Sequence, residues 1–353
     1  MQVAQSVSLR PYNTFGIEAQ AAYFARINTV AELKSILKTP LAQTRPILVL
    51  GGGSNLLLVQ DFPGLVLKID LLGLEKIRED DQQVWVRAGA GEQWHRFVLY
   101  CLANNWGGVE NLSLIPGTVG AAPMQNIGAY GVELKDNFES LEAVDIATGQ
   151  LRTFDQATCR FGYRESIFKR EAKGKYIITS VEFRLQKFPV LHTGYGAIRD
   201  TLAAMQVQAP SIHDVSRAVI QIRQSKLPDP AQIGNAGSFF QNPEIPQAHY
   251  DHLKAVHPAL PGYPGTAPGM VKVAAGWLIE QCGWRGKRVG NTGAHRDQSL
   301  VLVNYGGATG AEIWALAQTI QASIQAKFAI ALQAEVNLVG TLGPALFSDK
   351  KLD

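Results

Sequence analysis

The chain has 353 residues, 46% hydrophobic and 18% charged, the balance of a globular protein large enough for two or three domains. Its 33 basic and 30 acidic residues leave a net charge of +3 with no basic run or stripe, which excludes a nucleic-acid or membrane-surface role. Cys101, Cys159 and Cys282 are widely spaced and form no CxxC, so neither a disulfide frame nor a zinc site is expected. No secretion signal and no apolar run of about 20 residues is visible, so a cytoplasmic monomer that binds no membrane and no metal is expected.

In chain order, Asn13-Thr14-Phe15-Gly16 opens the ordered part, and Ala21–Ile27 reads as a strand. Thr29–Lys38 has the spacing of a short helix, with Thr29 and Glu32 forming a capping box. Ile47–Leu50 is a short buried strand running into Gly51-Gly52-Gly53-Ser54-Asn55, and Val59–Ile69 returns as extended chain. A dinucleotide fingerprint would need glycine where Leu56 stands, and the Gly-Lys-Ser/Thr of a Walker loop is absent. The cluster is therefore a strand–turn–strand whose N–H groups and Ser54 hydroxyl meet phosphate oxygens, or else a plain tight turn. Val84–Ala88 alternates as a strand, Gly91–Asn104 reads as a helix, and Leu141–Ile146 with Gln150–Phe154 reads as a hairpin. Tyr176–Leu185 suits a half-buried strand.

Past residue 188 the composition changes. Phe188–Gly196 reads as a surface loop displaying Tyr195, and Ser211–Lys226 as a helix with Ser211 and Asp214 in a capping box and Pro228 beyond its end. Gln232–Pro243 reads as an apolar, glycine-bearing loop, and His249–Gly269 as a Pro/Gly-rich excursion. Val271–Gln281 is predicted to be a helix, Leu300–Asn304 a strand, Thr309–Ile324 a helix capped by Thr309 and Glu312, and Ile330–Val339 a closing strand. Strands and helices mingle without regular alternation, which points to an α+β fold with mixed sheets.

Leu114–Gly131, LIPGTVGAAPMQNIGAYG, holds six glycines or prolines and no charged residue, too apolar for a linker and too broken for a helix. It is a buried loop whose main chain lies against a ligand, or one packed only against protein. Three polar residues elsewhere stand out. Arg164, among the aromatics of Cys159–Phe168, is a fork suited to a carboxylate, or the partner of Glu165. Ser238, between Gly237 and two phenylalanines, carries a sheltered hydroxyl without a His-Asp set, so it is a proton donor or a local turn bond. Glu335 alternates away from the apolar face of Ile330–Val339, toward solvent or a cleft.

The run Ile115–Gly131, with Gly51–Asn55 upstream, resembles the signature of the UDP-N-acetylenolpyruvoylglucosamine reductase family, flavoenzymes of bacterial peptidoglycan precursor synthesis, and the resemblance extends from Asn13 to about Val339. It implies a two-lobed FAD-binding domain of the vanillyl-alcohol-oxidase/PCMH type, lobes 1–70 and 71–205, plus a C-terminal α+β substrate domain, 206–353, whose last strand at about 330–340 returns to the site. It also implies NADPH as electron donor, sharing one pocket with the UDP-sugar in alternation. Non-covalent FAD would lie on Gly51, Gly52, Gly53, Ser54, Asn55, Ile115, Pro116, Gly117, Thr118, Gly120, Ala121, Asn126, Gly128, Ala129, Gly131 and Ile178; segments 51–55 and 111–131 contain no His or Cys for a covalent link. Flavin N5 would give hydride to the enolpyruvyl β-carbon, Arg164 and Glu335 would stabilise the enolate-like state, and Ser238 would supply the proton. Tyr163, Tyr195, Lys226, Asn242 and Gln298 would contact substrate. Lys226 at a helix end is otherwise a dipole-complementing lysine. The place of a family arginine two residues after the glutamate is taken by Asn337. The alternatives are another FAD-dependent oxidase or dehydrogenase of the same superfamily, or a nucleotide-sugar binder without turnover.

Overall fold

In the computed structural model, which describes residues 2–340, the glycine cluster sits at the carboxyl end of a largely parallel sheet. The strand order is Ala4–Ser8, Gln20–Ile27, Phe62–Ile69, Ile47–Leu50, with the last three parallel. Both faces are covered, as parallel sheets require: Leu65 and Leu67 join one hydrophobic core, and Val66 and Phe24 join another. The expected capping box forms in the helix Val30–Leu37, where the Glu32 N–H donates to Thr29 Oγ1 and the Thr29 N–H to the Glu32 carboxylate.

A second sheet is antiparallel throughout: Leu151–Asp155, Phe138–Asp145, Tyr176–Gln186, Gln83–Gly89 and Leu74–Glu79. The expected hairpin is its first pair. The helix Trp94–Ala103 packs on it through Trp94 and Phe97, whose rings contact Phe183 at 5.8 and 4.5 Å. Helices Gly196–Ala204 and Ile212–Lys226 form a small core of their own through Ile198, Leu202, Val215 and Val219.

The C-terminal part contains the sheet Gly234–Ser238, Val301–Asn304, Thr292–Ala294, Arg288–Val289 and a three-stranded sheet of Glu244–Pro246, Met270–Val273 and Gly262–Pro264. The helix Gly310–Phe328 covers it, and its capping box is the predicted one. Several expectations need correction. Val271–Gln281 is not one helix: Met270–Val273 is a strand, its branched valines paired on both sides, and only Ala275–Gln281 is helical. His249–Gly269 is more regular than expected: the helix Gln247–Val256 buries only Leu253, which left no apolar stripe to read. Within Gln232–Pro243, the stretch Gly234–Ser238 is a strand, not loop. In Ile330–Val339 only Asn337–Val339 joins a ladder, parallel to Leu56–Leu58, so this segment lies beside the glycine turn; Ala334 adds one bridge to Phe240.

Candidate active site

A cleft of about 1320 Å³ runs between the two FAD-type segments and the C-terminal sheet. Its floor is the strand Ile47–Leu50 and the turn 51–55, set at the carboxyl ends of parallel strands, where open sheets place their ligands. The wall is 114–118. The two glycine segments touch each other through main chain. A Cβ on Gly52 would stand 2.9 Å from Gly117 Cα, and one on Gly51 would stand 2.5 Å from Thr118 Oγ1. Gly53, at φ +63, lies against the Tyr12 carbonyl, while its own carbonyl accepts from the Thr14 N–H at 3.1 Å. Such a side-chain-free cradle fits the diphosphate and ring of a flavin.

Arg164 is held in a strained turn. Gly162 and Glu165 exchange backbone hydrogen bonds at 3.0 and 3.2 Å, and Arg164 sits between them at φ +53, a position that favours glycine. Three bonds stitch this segment to the long loop: Arg164 Nη2 donates to Gly128 O at 2.7 Å, Asn126 Nδ2 to Gly162 O at 2.9 Å, and buried Ser166 Oγ to Met124 O at 2.7 Å. Glu165 pairs with Arg170 at 3.2 Å, not with Arg164. Among the described residues Arg164 has no carboxylate within ion-pair distance, so its fork is available to an anion in the cleft.

Ser238 is aimed by a bulge. The ladder between Gly234–Ser238 and Val301–Asn304 shifts register after Asn235, and Gly237 takes φ +72 with its N–H donating to Asn235 Oδ1 at 2.9 Å. This device re-aims the following side chain, and Ser238 lines the cleft. Buried Asn235 also donates to Pro228 O at 3.1 Å and Ile233 O at 2.9 Å, and its N–H donates to Thr14 O at 3.0 Å, so it joins both domains at this point.

Glu335 reaches the same space because 333–335 zips along 239–241: the Glu335 N–H donates to Phe239 O at 2.8 Å and the Gln241 N–H to Gln333 O at 3.0 Å. The choice between solvent and cleft falls on cleft. Burial pushes the Glu335 carboxyl above the ordinary carboxylate value of 4.5, and the charges of Arg164 and Lys169 work against that rise.

Of the other expected residues, Gly51 to Asn55, Ile115, Pro116, Gly117, Thr118, Ala121, Gly128 and Lys226 line the cleft. Gly120, Asn126, Ala129, Gly131, Ile178, Tyr163, Tyr195, Asn242 and Gln298 are not part of that lining. Gly120 packs on Ala90, buried Asn126 bonds to Glu133, Gly162 and Lys135, Ala129 and Gly131 belong to a two-residue hairpin, and Ile178 is core. Asn242 Oδ1 accepts the Ala275 N–H at 3.0 Å, at the start of a helix. Tyr163 is exposed, with Lys272 Nζ 3.5 Å from its ring centre. Tyr195 is exposed with its ring edge-on to Tyr130 at 5.5 Å. Asn337 lines the cleft and donates to Asn55 O at 2.9 Å.

Of the lining residues that escaped the sequence reading, three make bonds that shape the site. Arg223 donates to Leu114 O at 3.2 Å and is desolvated on the helix Ile212–Lys226. His95 Nδ1 accepts from the Leu114 N–H at 2.9 Å, which fixes Leu114 at φ +59. Lys169 donates to Arg164 O at 3.0 Å. Arg223 lies in the last turns of the predicted helix Ser211–Lys226; the other two carried no local signal.

Among the described residues no helix is long and apolar enough to cross a membrane. A model of the FAD binding domain matches residues 21–155, and one of the UDP-N-acetylenolpyruvoylglucosamine reductase C-terminal domain matches residues 229–339. The chain is therefore an α+β flavoprotein with a FAD binding domain in its first part. A UDP-N-acetylenolpyruvoylglucosamine reductase of Chromobacterium violaceum is 52% identical over 336 residues, 95% of this chain and 98% of that one. One of Amoebophilus asiaticus is 50% identical over 339 residues, 96% and 100%. The crystal structure of the reductase from Thermus caldophilus superposes with a TM-score of 0.66 at 25% identity, covering 96% of this chain and 99% of that one. With glycine cradle, fork and buried carboxyl in one cleft and kinship over nearly its whole length, the chain belongs to the UDP-N-acetylenolpyruvoylglucosamine reductase family, an FAD-dependent oxidoreductase of peptidoglycan precursor synthesis.

Proposed function

We propose that the protein uses NADPH to reduce the enolpyruvyl group of UDP-N-acetylglucosamine enolpyruvate, giving UDP-N-acetylmuramate. The observation that carries this reading is the convergence of Arg164, Ser238 and Glu335, from three distant segments, on the cleft that the glycine cradle floors. Bound FAD supplies the hydride carrier. The protein's own residues do the rest. The Arg164 fork, free of internal carboxylates, grips the substrate carboxylate where negative charge grows, a preorganised interaction that costs no rearrangement. Glu335, whose burial favours the proton-bearing form, donates a hydrogen bond to the same oxygens. Ser238 Oγ delivers the proton to the substrate α-carbon. Serine is a poor acid, so the transfer depends on a basic enolate and a cleft closed to water; closure is assigned to Tyr195, which is exposed ahead of the helix Gly196–Ala204 and outside the cleft lining.

Lys226 and Arg223 bring positive charge to one side of the cleft and suit the diphosphate of a nucleotide sugar. Tyr163, Asn242 and Gln298 are assigned as further polar contacts to the substrate, although they lie outside the cleft lining. Lobes 1–70 and 71–205 hold the flavin, and 206–353 the sugar nucleotide. NADPH and substrate use the cleft in turn, which gives ping-pong kinetics with mutual competition.

Anaerobic stopped-flow mixing tests the assignment by half-reaction. In Ser238→Ala, bleaching of flavin absorbance by NADPH stays near the wild-type rate, while return of colour on adding enolpyruvyl sugar nucleotide slows by about 10²–10⁴-fold. Equal loss in both halves removes Ser238 from proton transfer. Recovery of colour with air but not with the sugar nucleotide would point to an oxidase instead.

A further inference from the structure

Lys169 ends the short helical turn Ile167–Lys169, which Ser166 caps by accepting the Phe168 N–H at 3.2 Å. Its ammonium lines the cleft yet has no carboxylate within 4.0 Å among the described residues, since neighbouring Arg170 has taken Glu165. It donates instead to the carbonyl of Arg164 at 3.0 Å. Arg164 is thus fixed at both ends, the guanidinium by Gly128 O and the left-handed main chain by Lys169. A backbone conformation that costs of order 1–3 kcal/mol persists only where its surroundings over-determine it, and this bond is one such restraint.

We propose that Lys169 is a positioning residue of the reaction: its ammonium clamps the strained turn that presents Arg164 to the substrate carboxylate and sets the field felt by Glu335 across the cleft. The proposal rests on the reading of Arg164 and Glu335 given above. A lysine held by a carbonyl, with no counter-ion, keeps its full charge for the cleft. Glu335 feels Arg164 and Lys169 most directly. Farther along the same cleft stand Lys173, Arg223 and Lys226, with Asp229 and the corner His295–Asp297 opposite them. Among the described residues none of these others makes a hydrogen bond or ion pair to the Arg164 turn, although the charges of Arg223 and Arg164 repel.

Two variants and one silent control test this. Lys169→Met keeps the length of the side chain and loses donor and charge; Lys169→Arg keeps both. In FAD-loaded protein, Lys169→Met retains the wild-type flavin spectrum, loses about tenfold or more in the half-reaction with enolpyruvyl sugar nucleotide, and recovers most of it as Lys169→Arg. The infrared band of the protonated Glu335 carboxyl, identified by its absence in Glu335→Gln, titrates with a higher midpoint in Lys169→Met than in wild type. That titration needs no substrate, so a wild-type protein inactive on the sugar nucleotide would sink the functional reading while leaving the lysine testable. An unmoved carboxyl midpoint together with unchanged rates overturns the proposal. Glu165, whose Oε1 is buried without a partner, is the competing acceptor. If Glu165→Gln lowers the sugar-nucleotide rate as far as Lys169→Met does, the lysine serves Glu165 and the proposal also fails.

Discussion

Replacing Gly52 by alanine isolates the contact between the two glycine-bearing segments of the cleft. Gly52 is not among the left-handed glycines, so alanine adopts its main-chain conformation without strain. The added methyl, however, stands 2.9 Å from Gly117 Cα and 3.3 Å from its carbonyl carbon, both main-chain atoms that cannot rotate away. Relief to an ordinary contact near 3.4 Å needs about 0.5 Å of separation between the turn and the wall. Hydrogen bonds from main-chain N–H groups to a diphosphate are near 2.9 Å, and an opening of that size breaks at least one of them. A bond to a charged group contributes about 1.5–3 kcal/mol, so the Kd for FAD is expected to rise about 10- to 150-fold per bond lost. Titrating FAD into apoprotein and following the quenching of flavin fluorescence measures this directly. The apoprotein should unfold within about 2 °C of wild type, because the contact borders a cleft and not the core. Gly131→Ala is the counter-case: at φ +83 with open space around its Cβ, it loses about 1–2 kcal/mol of stability to strain while FAD affinity stays within about twofold. If Gly52→Ala binds FAD as tightly as wild type, the two segments do not clamp the cofactor together.

Glu335→Gln is expected to abolish most turnover while making the protein more stable at neutral pH. The folded carboxyl holds its proton more tightly than the unfolded one, so the wild-type contribution is favourable at low pH and is lost as pH rises from 4.5 through the raised folded value. Thermal midpoints of variant and wild type should therefore diverge with rising pH in that window, and a constant difference would show that Glu335 is not desolvated. His95 has the opposite sign: burial, aided by Arg223, pushes its imidazole below 6.5, and its Nδ1 accepts the Leu114 N–H only when unprotonated. Stability linked to it is full above 6.5 and falls as pH drops through the lowered folded value. His95→Ala should cost about 1–3 kcal/mol at pH 8 and remove that acid limb from the stability profile; denaturant midpoints across the range decide it. A profile unchanged in His95→Ala would mean that another group carries the acid sensitivity.

Local signals were read well from the chain. Thr29 with Glu32, Ser211 with Asp214 and Thr309 with Glu312 each start a helix where the spacing put them, because a capping box is complete within four residues. The glycine clusters, too, announced a close main-chain approach. Where tertiary pairing decided the outcome, spacing misled: Val271 and Val273 fit an apolar helix stripe but are held in a ladder by Glu244–Pro246 and Gly262–Pro264. The strand Ala4–Ser8 is largely exposed and shows no alternation, so nothing marked it. Glu335 could be assigned a face but not an environment, since what desolvates it is the segment 239–241, almost a hundred positions away. Lys169, His95 and Arg223 act through carbonyls and N–H groups of residues distant in the chain or turned by the fold, and an alphabet of side chains does not record where a carbonyl points.

The ladder of Asn337–Val339 with Leu56–Leu58 joins two segments that are far apart in the chain. Asn337 bonds to Asn55, 282 positions earlier, and Glu335 completes the cleft from the same final segment. During synthesis, therefore, the glycine turn emerges early, and the cleft gains its last side chains only when Glu335 and Asn337 follow. A chain cut ahead of Glu335 is expected to keep the glycine turn and its facing wall and to lose the carboxyl that completes the cleft.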